Sequence, residues 1–258
     1  MNKTLKATLI SCLVSTTLLA APAMASKLKI GIAAEPYPPF SVKQSSGQWS
    51  GFEIDLVNYI CKEIKAQCEI NEVAWDGIIP ALTSNKIDVI FNSMSITAER
   101  EKTIAFSAPY YYTPSMYVGP KGSKLTTTPA GLKGKIIGVQ GSTSNADFLK
   151  KNYSSTATIK YYNTQDELNA DMAAGRVDVM LMDAVPAVDF LQSKDGAALE
   201  AKGMAPKDPL LGEGIGAGLR KSDVALKKQF DAAIKKMQVS GDFKKIQKKY
   251  FSIDLTPK

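Results

Sequence analysis

Arg100 closes the stretch NSMSITAER, Asn92 to Arg100, in which an amide, two serines and a threonine follow an apolar run. Its guanidinium offers five N–H donors in a rigid fork that suits a carboxylate, and it keeps its charge at ordinary pH. Asn92, Ser93 and Ser95 add shorter, neutral contacts. A second group of donors stands in QGSTSNAD, residues 140–147. There Gly141, Ser142 and Thr143 make a tight turn, and Ser144 with Asp147 has the form of a helix start. Asp183, a lone acid ending the apolar run VDVMLMD, has the opposite preference and accepts from an ammonium group. Cation fork, donor turn and acid together match the two ends of an α-amino acid zwitterion. Each also has a plainer role: Arg100 lies between Glu99 and Glu101 and can form a surface pair, Ser142 and Thr143 can cap a helix, and Asp183 can start one. Their joint placement favours the ligand.

Tyr37 and Trp75 are the aromatic anchors. Tyr37 sits in EPYPPF, where three prolines stiffen the loop and hold the ring at little entropic cost. An aromatic face sandwiches an aliphatic stem or attracts a cationic head for about 0.5 to 2 kcal/mol. Trp75, just ahead of DGIIPAL, fits core and cleft equally well, whereas Phe40 and Phe52 read as core.

The elements that must position these residues follow one design used twice. Short β-rich runs alternate with longer segments of helical period, which predicts an α/β chain with mostly parallel sheets. LKIGIAAE (residues 28–35) has a counterpart in GKIIGVQGS (residues 134–142), and NKIDVIFNSMS has one in GRVDVMLMDAV. Asp88 and Asp178 thereby take equivalent places and read as strand-edge carboxylates, not site residues. Two lobes of similar build are expected. In open α/β sheets ligands collect beyond the carboxyl ends of strands, where helix N-termini and free N–H groups point. That rule selects AAEPYPPF and NSMS in the first lobe, and QGSTSNAD and Asp183 in the second.

The 258 residues are 45% hydrophobic and 22% charged, enough for a large core. The first 25 residues stand apart: Lys3 and Lys6, an apolar stretch, then Ala23-Met24-Ala25 in the small-x-small form of a secretory cleavage site. They predict a signal peptide cleaved after Ala25, and no later stretch is apolar for the length of a membrane span. Cys12 lies in a loose lipid-attachment pattern, but the apolar region before it is too short. An exported compartment lets Cys61 and Cys68 pair, two buried free thiols being the alternative. With no histidine in the chain and only two cysteines after cleavage, a zinc shell is not expected. Two units of the net charge of +7 belong to the leader lysines, and export argues against a nucleic-acid partner for the rest. The lysines of KKQFDAAIKKMQVSGDFKKIQKKYF alternate with apolar residues at helical spacing and read as a solvated helix face.

YPPF, GFEIDL, CKEIKAQC, IIPAL, IDVIFNSMSITAER, GVQGST and AGRVDVMLMD, in that order, make the chain resemble the extracellular solute-binding proteins of ABC importers for polar amino acids. The likeness is strongest to the lysine/arginine/ornithine- and histidine-binding group and spans essentially everything after the leader. It implies a two-lobe type II periplasmic binding protein fold with two hinge crossovers, lobe 1 being residues 26–115 and 209–258 and lobe 2 residues 116–208. It implies an amino acid ligand, the membrane permease of an ABC importer as partner, no cofactor, and a monomer in the periplasm. Carried over residue by residue, the carboxylate-binding arginine becomes Arg100 and the amine-binding aspartate Asp183. The donors become Ser93, Ser95, Ser142 and Thr143, the stacking aromatics Tyr37 and Trp75, and the disulfide Cys61 with Cys68.

The departures fall on the side-chain pocket. Basic amino-acid binders typically carry an acid three residues before the tyrosine, where this chain has Ala34, with Glu35 one place later. One place along a regular strand turns a side chain to the opposite face, unless Pro36 breaks the regularity. Asn92 also stands where a serine is usual. Glu35 with the two aromatics favours a cationic side chain, followed by a neutral polar amino acid such as glutamine, or an opine. The same scaffold resembles that of some cyclohexadienyl dehydratases, but Glu35 is the one obvious general acid available for such chemistry.

Overall fold

The computed structural model describes residues 27–257; the expected leader, its cleavage site and Cys12 lie outside the described residues. β1 (Lys27–Ala33) is followed by a short hairpin, β2 (Val42–Lys43) and β3 (Trp49–Ser50), and by α1 (Phe52–Glu63). Then come β4 (Gln67–Val73), α2 (Ile78–Thr83), β5 (Val89–Ile90), α3 (Ala98–Glu101) and β6 (Ala105–Phe106). A second sheet begins with β7 (Ser115–Pro120) and continues through β8 (Ile136–Gln140), α4 (Ser144–Tyr153), β9 (Thr158–Tyr162), α5 (Gln165–Ala173), β10 (Val179–Asp183), α6 (Ala184–Gln192) and β11 (Leu199–Met204). The chain returns as β12 (Gly218–Leu219) and ends in α7 (Val224–Val239) and α8 (Asp242–Gln247).

The two sheets have one plan. The first runs β4-β1-β5-β12-β6 and the second β11-β7-β10-β8-β9. In each, three neighbouring strands are parallel and a fourth is reversed, so four of five strands point the same way. The reversed strands, β12 and β7, are the first that the chain lays down after changing sheet. The two strand-edge carboxylates match atom for atom. Asp88 accepts from the N–H of Lys29 at 3.0 Å and Asp178 from that of Ile136 at 2.8 Å, each starting its sheet's third parallel strand.

Burial explains the elements. α1 places Ile54, Leu56, Val57, Ile60 and Cys61 against the sheet and carries Glu53 and Asp55 in its first turn, where acids suit the helix dipole. Its N-cap must be glycine: Gly51 has φ +123°, and a Cβ there would meet the carbonyl oxygen of Phe40 at 2.4 Å. Phe40 and Phe52 are fully buried, as the sequence predicts. α7 turns Phe230, Ala233, Ile234 and Met237 inward and leaves Lys228, Lys235 and Lys236 in water, the solvated lysine face expected. Among the described residues no helix is long and apolar enough to cross a membrane.

Cys61 and Cys68 form a disulfide between the end of α1 and the start of β4. Removing a bridge that closes so short a loop releases chain entropy worth about 2 kcal/mol in the unfolded state. The double variant Cys61→Ser/Cys68→Ser is therefore expected to lose about that much in urea unfolding. An unchanged midpoint under oxidising conditions would contradict it.

Candidate ligand-binding site

All six parallel strands aim their carboxyl ends at one cavity between the sheets. Glu35 and Tyr37 follow β1, Trp75 follows β4, and Asn92, Ser95 and Arg100 follow β5. Across the gap, Thr143, Ser144 and Asn145 open α4 after β8, Gln165 opens α5 after β9, and Asp183 ends β10. About 620 Å³ of atom-free space lies in the cavity and its mouth together, and the mouth opens to solvent.

Arg100 is held from both sides of the gap. Its Nη1 donates to the Ser95 carbonyl at 2.9 Å and its Nη2 to the Ser142 carbonyl at 3.1 Å. The guanidinium carbon lies 5.6 Å from the centre of the Trp75 ring, a cation–π placement. Burial lowers its pKa to about 10, opposed by the negative charges of Asp147 and Asp183, so it remains cationic at neutral pH. The flanking Glu99 pairs with Lys102 instead.

Asp183 is the opposite pole. Tyr37 donates its hydroxyl to Oδ2 at 3.1 Å, and Asn145 donates Nδ2 to Oδ1 at 3.2 Å. Asn145 is itself fixed by Ser115, whose hydroxyl donates to its Oδ1 at 2.5 Å. Burial pushes the Asp183 carboxyl up to about 6, against the pull of these two donors and of Arg100. Asp183 is the N-cap residue of α6 but makes no side-chain capping bond, so its carboxylate is left to the cavity. Glu35 also lines the cavity, and its buried Oε2 has no hydrogen-bond partner. Among the described residues no group of acids and cysteines is placed to hold a metal ion.

A cavity with one cationic and one anionic pole, enclosed by two α/β sheets, is a receptor's geometry, and the family comparison agrees. The model of the bacterial extracellular solute-binding proteins, family 3, matches residues 28–253. The chain belongs to that family. It is 41% identical over 231 residues to the L-arginine-binding protein of Pseudomonas aeruginosa, covering 88% of this chain and 89% of that one. It is 38% identical over 231 residues to the histidine-binding periplasmic protein of Salmonella typhimurium, with 88% and 89% covered. The solved structure of an ancestral arginine-binding protein bound to arginine superposes with a TM-score of 0.81 at 32% identity, covering 89% of this chain and all of that one. This solute-binding protein is accordingly a binding protein and not an enzyme.

Within the solute-binding protein, three of the expected donors are used differently. Ser93 borders the cavity, but its N–H and hydroxyl both donate to Glu53, at 2.8 and 3.0 Å. Ser142 is not among the lining residues: its carbonyl faces the gap and accepts from Arg100 and from Trp75 Nε1, the latter at 3.2 Å. Thr143 is the N-cap of α4, one residue before the expected Ser144, and its hydroxyl accepts from the Ala146 N–H at 3.1 Å. Asn92 accepts from the Ala33 N–H at 3.0 Å, which ties the ends of β5 and β1 together. Trp75 belongs to the cleft, although its ring also packs on the core of the first lobe.

Four polar lining residues, Gln140, Ser144, Asn145 and Gln165, are additions to the expected set. Ser144 donates to Ser95 Oγ across the gap at 3.1 Å. Gln165 lies inside the Thr164/Glu167 capping box, which is readable as T-x-x-E and marks a third rim in the second lobe, equivalent to Trp75 in the first.

The raised Asp183 pKa has a consequence for stability. The folded protein holds this proton more tightly than the unfolded chain, so the stability it contributes is present below about pH 4 and lost as pH rises through about 6. Asp183→Asn cannot titrate. Relative to that variant, the ligand-free wild type is expected to lose about 2 to 3 kcal/mol between pH 4 and pH 7 in denaturant melts. A difference independent of pH would show that the carboxylate is not desolvated.

Proposed function

We propose that this protein is a periplasmic receptor that captures an L-amino acid with a cationic side chain (lysine, arginine, ornithine or histidine) and delivers it to the membrane permease of an ABC importer. The carrying observation is Glu35 Oε2, a buried, unpartnered carboxylate oxygen in a cavity already equipped with Arg100 and Asp183. Arg100, with the Ser95 loop and the N-terminus of α4, takes the α-carboxylate; Asp183 takes the α-ammonium. The side chain then runs between Tyr37 and Trp75 to Glu35, and a buried carboxylate is stabilised far more by a cation than by a neutral donor. The names of the arginine- and histidine-binding relatives support the same class. A neutral polar amino acid is the second reading, favoured by the Gln140 and Gln165 side chains in the wall.

Capture proceeds by closure of residues 26–115 with 209–258 onto residues 116–208, a division supported by which strands join which sheet. Each half-site alone meets one end of the zwitterion, so ligand shifts the equilibrium toward the closed form. Four hydrogen bonds already span the gap: Tyr37 to Asp183, Trp75 and Arg100 to Ser142, and Ser144 to Ser95. The mature protein starts after Ala25 and works as a monomer.

A thermal-shift screen of stripped protein against all amino acids is expected to single out arginine, lysine, ornithine or histidine. Ligand at a hundred times its Kd stabilises by about 2.7 kcal/mol. Arg100→Ala and Asp183→Ala should each abolish the shift, while Glu35→Gln should weaken cationic ligands and spare glutamine. Arginine binding undiminished in Glu35→Gln would overturn the side-chain assignment. Because a protonated Asp183 cannot meet an ammonium, calorimetric affinity for arginine should fall about tenfold from pH 7 to pH 5.

A further inference from the structure

Glu53, in the first turn of α1, is 1% exposed, and no lysine or arginine among the described residues pairs with it. All its partners are neutral donors. The Ser93 N–H reaches Oε1 at 2.8 Å and the Ser93 hydroxyl reaches Oε2 at 3.0 Å; the Tyr110 hydroxyl reaches Oε1 at 2.6 Å and that of Tyr111 lies 3.3 Å from it. Tyr111 also donates to Ser93 Oγ at 2.8 Å. A carboxylate buried on neutral donors alone is costly to keep, and core packing does not require one.

The partners come from two places that matter for capture, and a third is bonded to both. Ser93 has φ +48°, the left-handed region a serine seldom enters, and both its donors are clamped by the one carboxylate. Its neighbour Ser95 presents the carbonyl that receives Arg100 Nη1 and the hydroxyl that receives Ser144. Tyr110 and Tyr111 lie on the segment that leaves the first sheet for the second. They are hydrogen-bonded to Ile215 on the returning segment, Tyr110 N to Ile215 O at 2.9 Å and Ile215 N to Tyr111 O at 2.9 Å. The returning segment in turn holds the loop, through Ile96 N to Gly214 O at 2.8 Å and Gly216 N to Met94 O at 3.1 Å.

We propose that Glu53 is a positioning residue for ligand capture: from beneath the cavity it locks Ser93 in its left-handed conformation, sets Ser95 and Arg100 for the ligand, and ties that loop to both segments crossing between the lobes. The proposal rests on the reading of the cavity as an amino acid site. Only an acceptor-only group satisfies both Ser93 donors at once. A glutamine keeps the shape but turns one arm into a donor, which frees one of them.

The test is calorimetry with arginine, lysine and glutamine on wild type, Glu53→Gln, and Glu53→Gln combined with Ser93→Gly. Glu53→Gln is expected to bind every amino acid that the wild type binds about tenfold more weakly, by a common factor, because the loop serves the end all amino acids share. Glycine enters the left-handed region without strain, so the double variant should recover at least threefold, a rescue that a merely structural carboxylate would not give. Affinity within twofold of wild type in Glu53→Gln, or no recovery in the double variant, overturns the proposal. Should Glu53→Gln not fold, Tyr111→Phe, which removes the donor to Ser93 Oγ, is expected to weaken arginine about threefold, and unchanged affinity there overturns it equally. A wild type that binds no amino acid brings down the reading of the cavity and this proposal with it. A wild type that binds arginine no better than Glu53→Gln brings down this proposal alone.

Discussion

Arg100 and Asp183 line one cavity with opposite charges and are not ion-paired with each other. Direct pairing would satisfy both and leave nothing for a ligand. Here each is instead held by weaker, neutral partners: carbonyls for the guanidinium, a tyrosine and an amide for the carboxylate. The strain of that arrangement is visible in both pKa values, each moved by burial toward the neutral form. In the proposed function a zwitterion relieves both at once, which is why neither lobe alone makes a good site and why capture and closure are one event.

Keeping the poles apart falls to the backbone. Ser93 and Ser142, at φ +48° and +58°, are two of the four non-glycine residues in the left-handed region among the described residues, and they follow β5 in one sheet and β8 in the other. Ser142 turns its carbonyl into the gap, where Arg100 and Trp75 meet it. Ser93 turns its donors away from the gap, to Glu53. Local strain of this kind survives when surrounding contacts over-determine it, and it gathers where geometry serves a ligand. The returning segment that leads into β12 runs beside the Ser93 turn, through Ile96 N–H to Gly214 O and Gly216 N–H to Met94 O, so the loop that borders the cavity also borders the route between lobes.

The parts of this design that depend on period and position were legible in the sequence. Repeated strand patterns placed Asp88 and Asp178 at matching strand starts, and the strand-end rule selected the stretches that bring Glu35, Tyr37, Asn92, Ser95, Thr143 and Asp183 to one cavity, which Arg100 and Trp75, singled out by their own chemistry, also line. What a pattern cannot carry is where a hydroxyl points. Ser93 and Ser142 stand out in the sequence for their side chains, but with a positive φ at each, Ser93 gives its hydroxyl to Glu53 and Ser142 offers its carbonyl to Arg100 and Trp75. Glu53 was hidden for a related reason: an acid in the first turn of a helix is the ordinary dipole-compensating choice, and its burial arises from Tyr110 and Tyr111, more than fifty residues away in sequence.

The one-place shift from Ala34 to Glu35 follows the same logic. Had β1 continued, alternation would have turned Glu35 to the face opposite Ala34, the place where basic amino-acid binders typically carry their acid. The strand ends at Ala33, however, and Ala34 makes the last bond to the neighbouring strand, its N–H to the Val73 carbonyl at 3.0 Å. Beyond that bond Pro36 offers no N–H, the chain bends into the proline-rich loop, and alternation no longer governs the side chain. Glu35 thus reaches the same cavity as Tyr37 and Trp75 from a loop instead of a strand. A carboxylate placed by a loop is set by the turn around Pro36 and not by sheet register, so its reach into the cavity is independent of the strands that hold Arg100 and Asp183. In the proposed function, specificity for the side chain and grip on the amino acid backbone are in this way carried by separable parts of the fold.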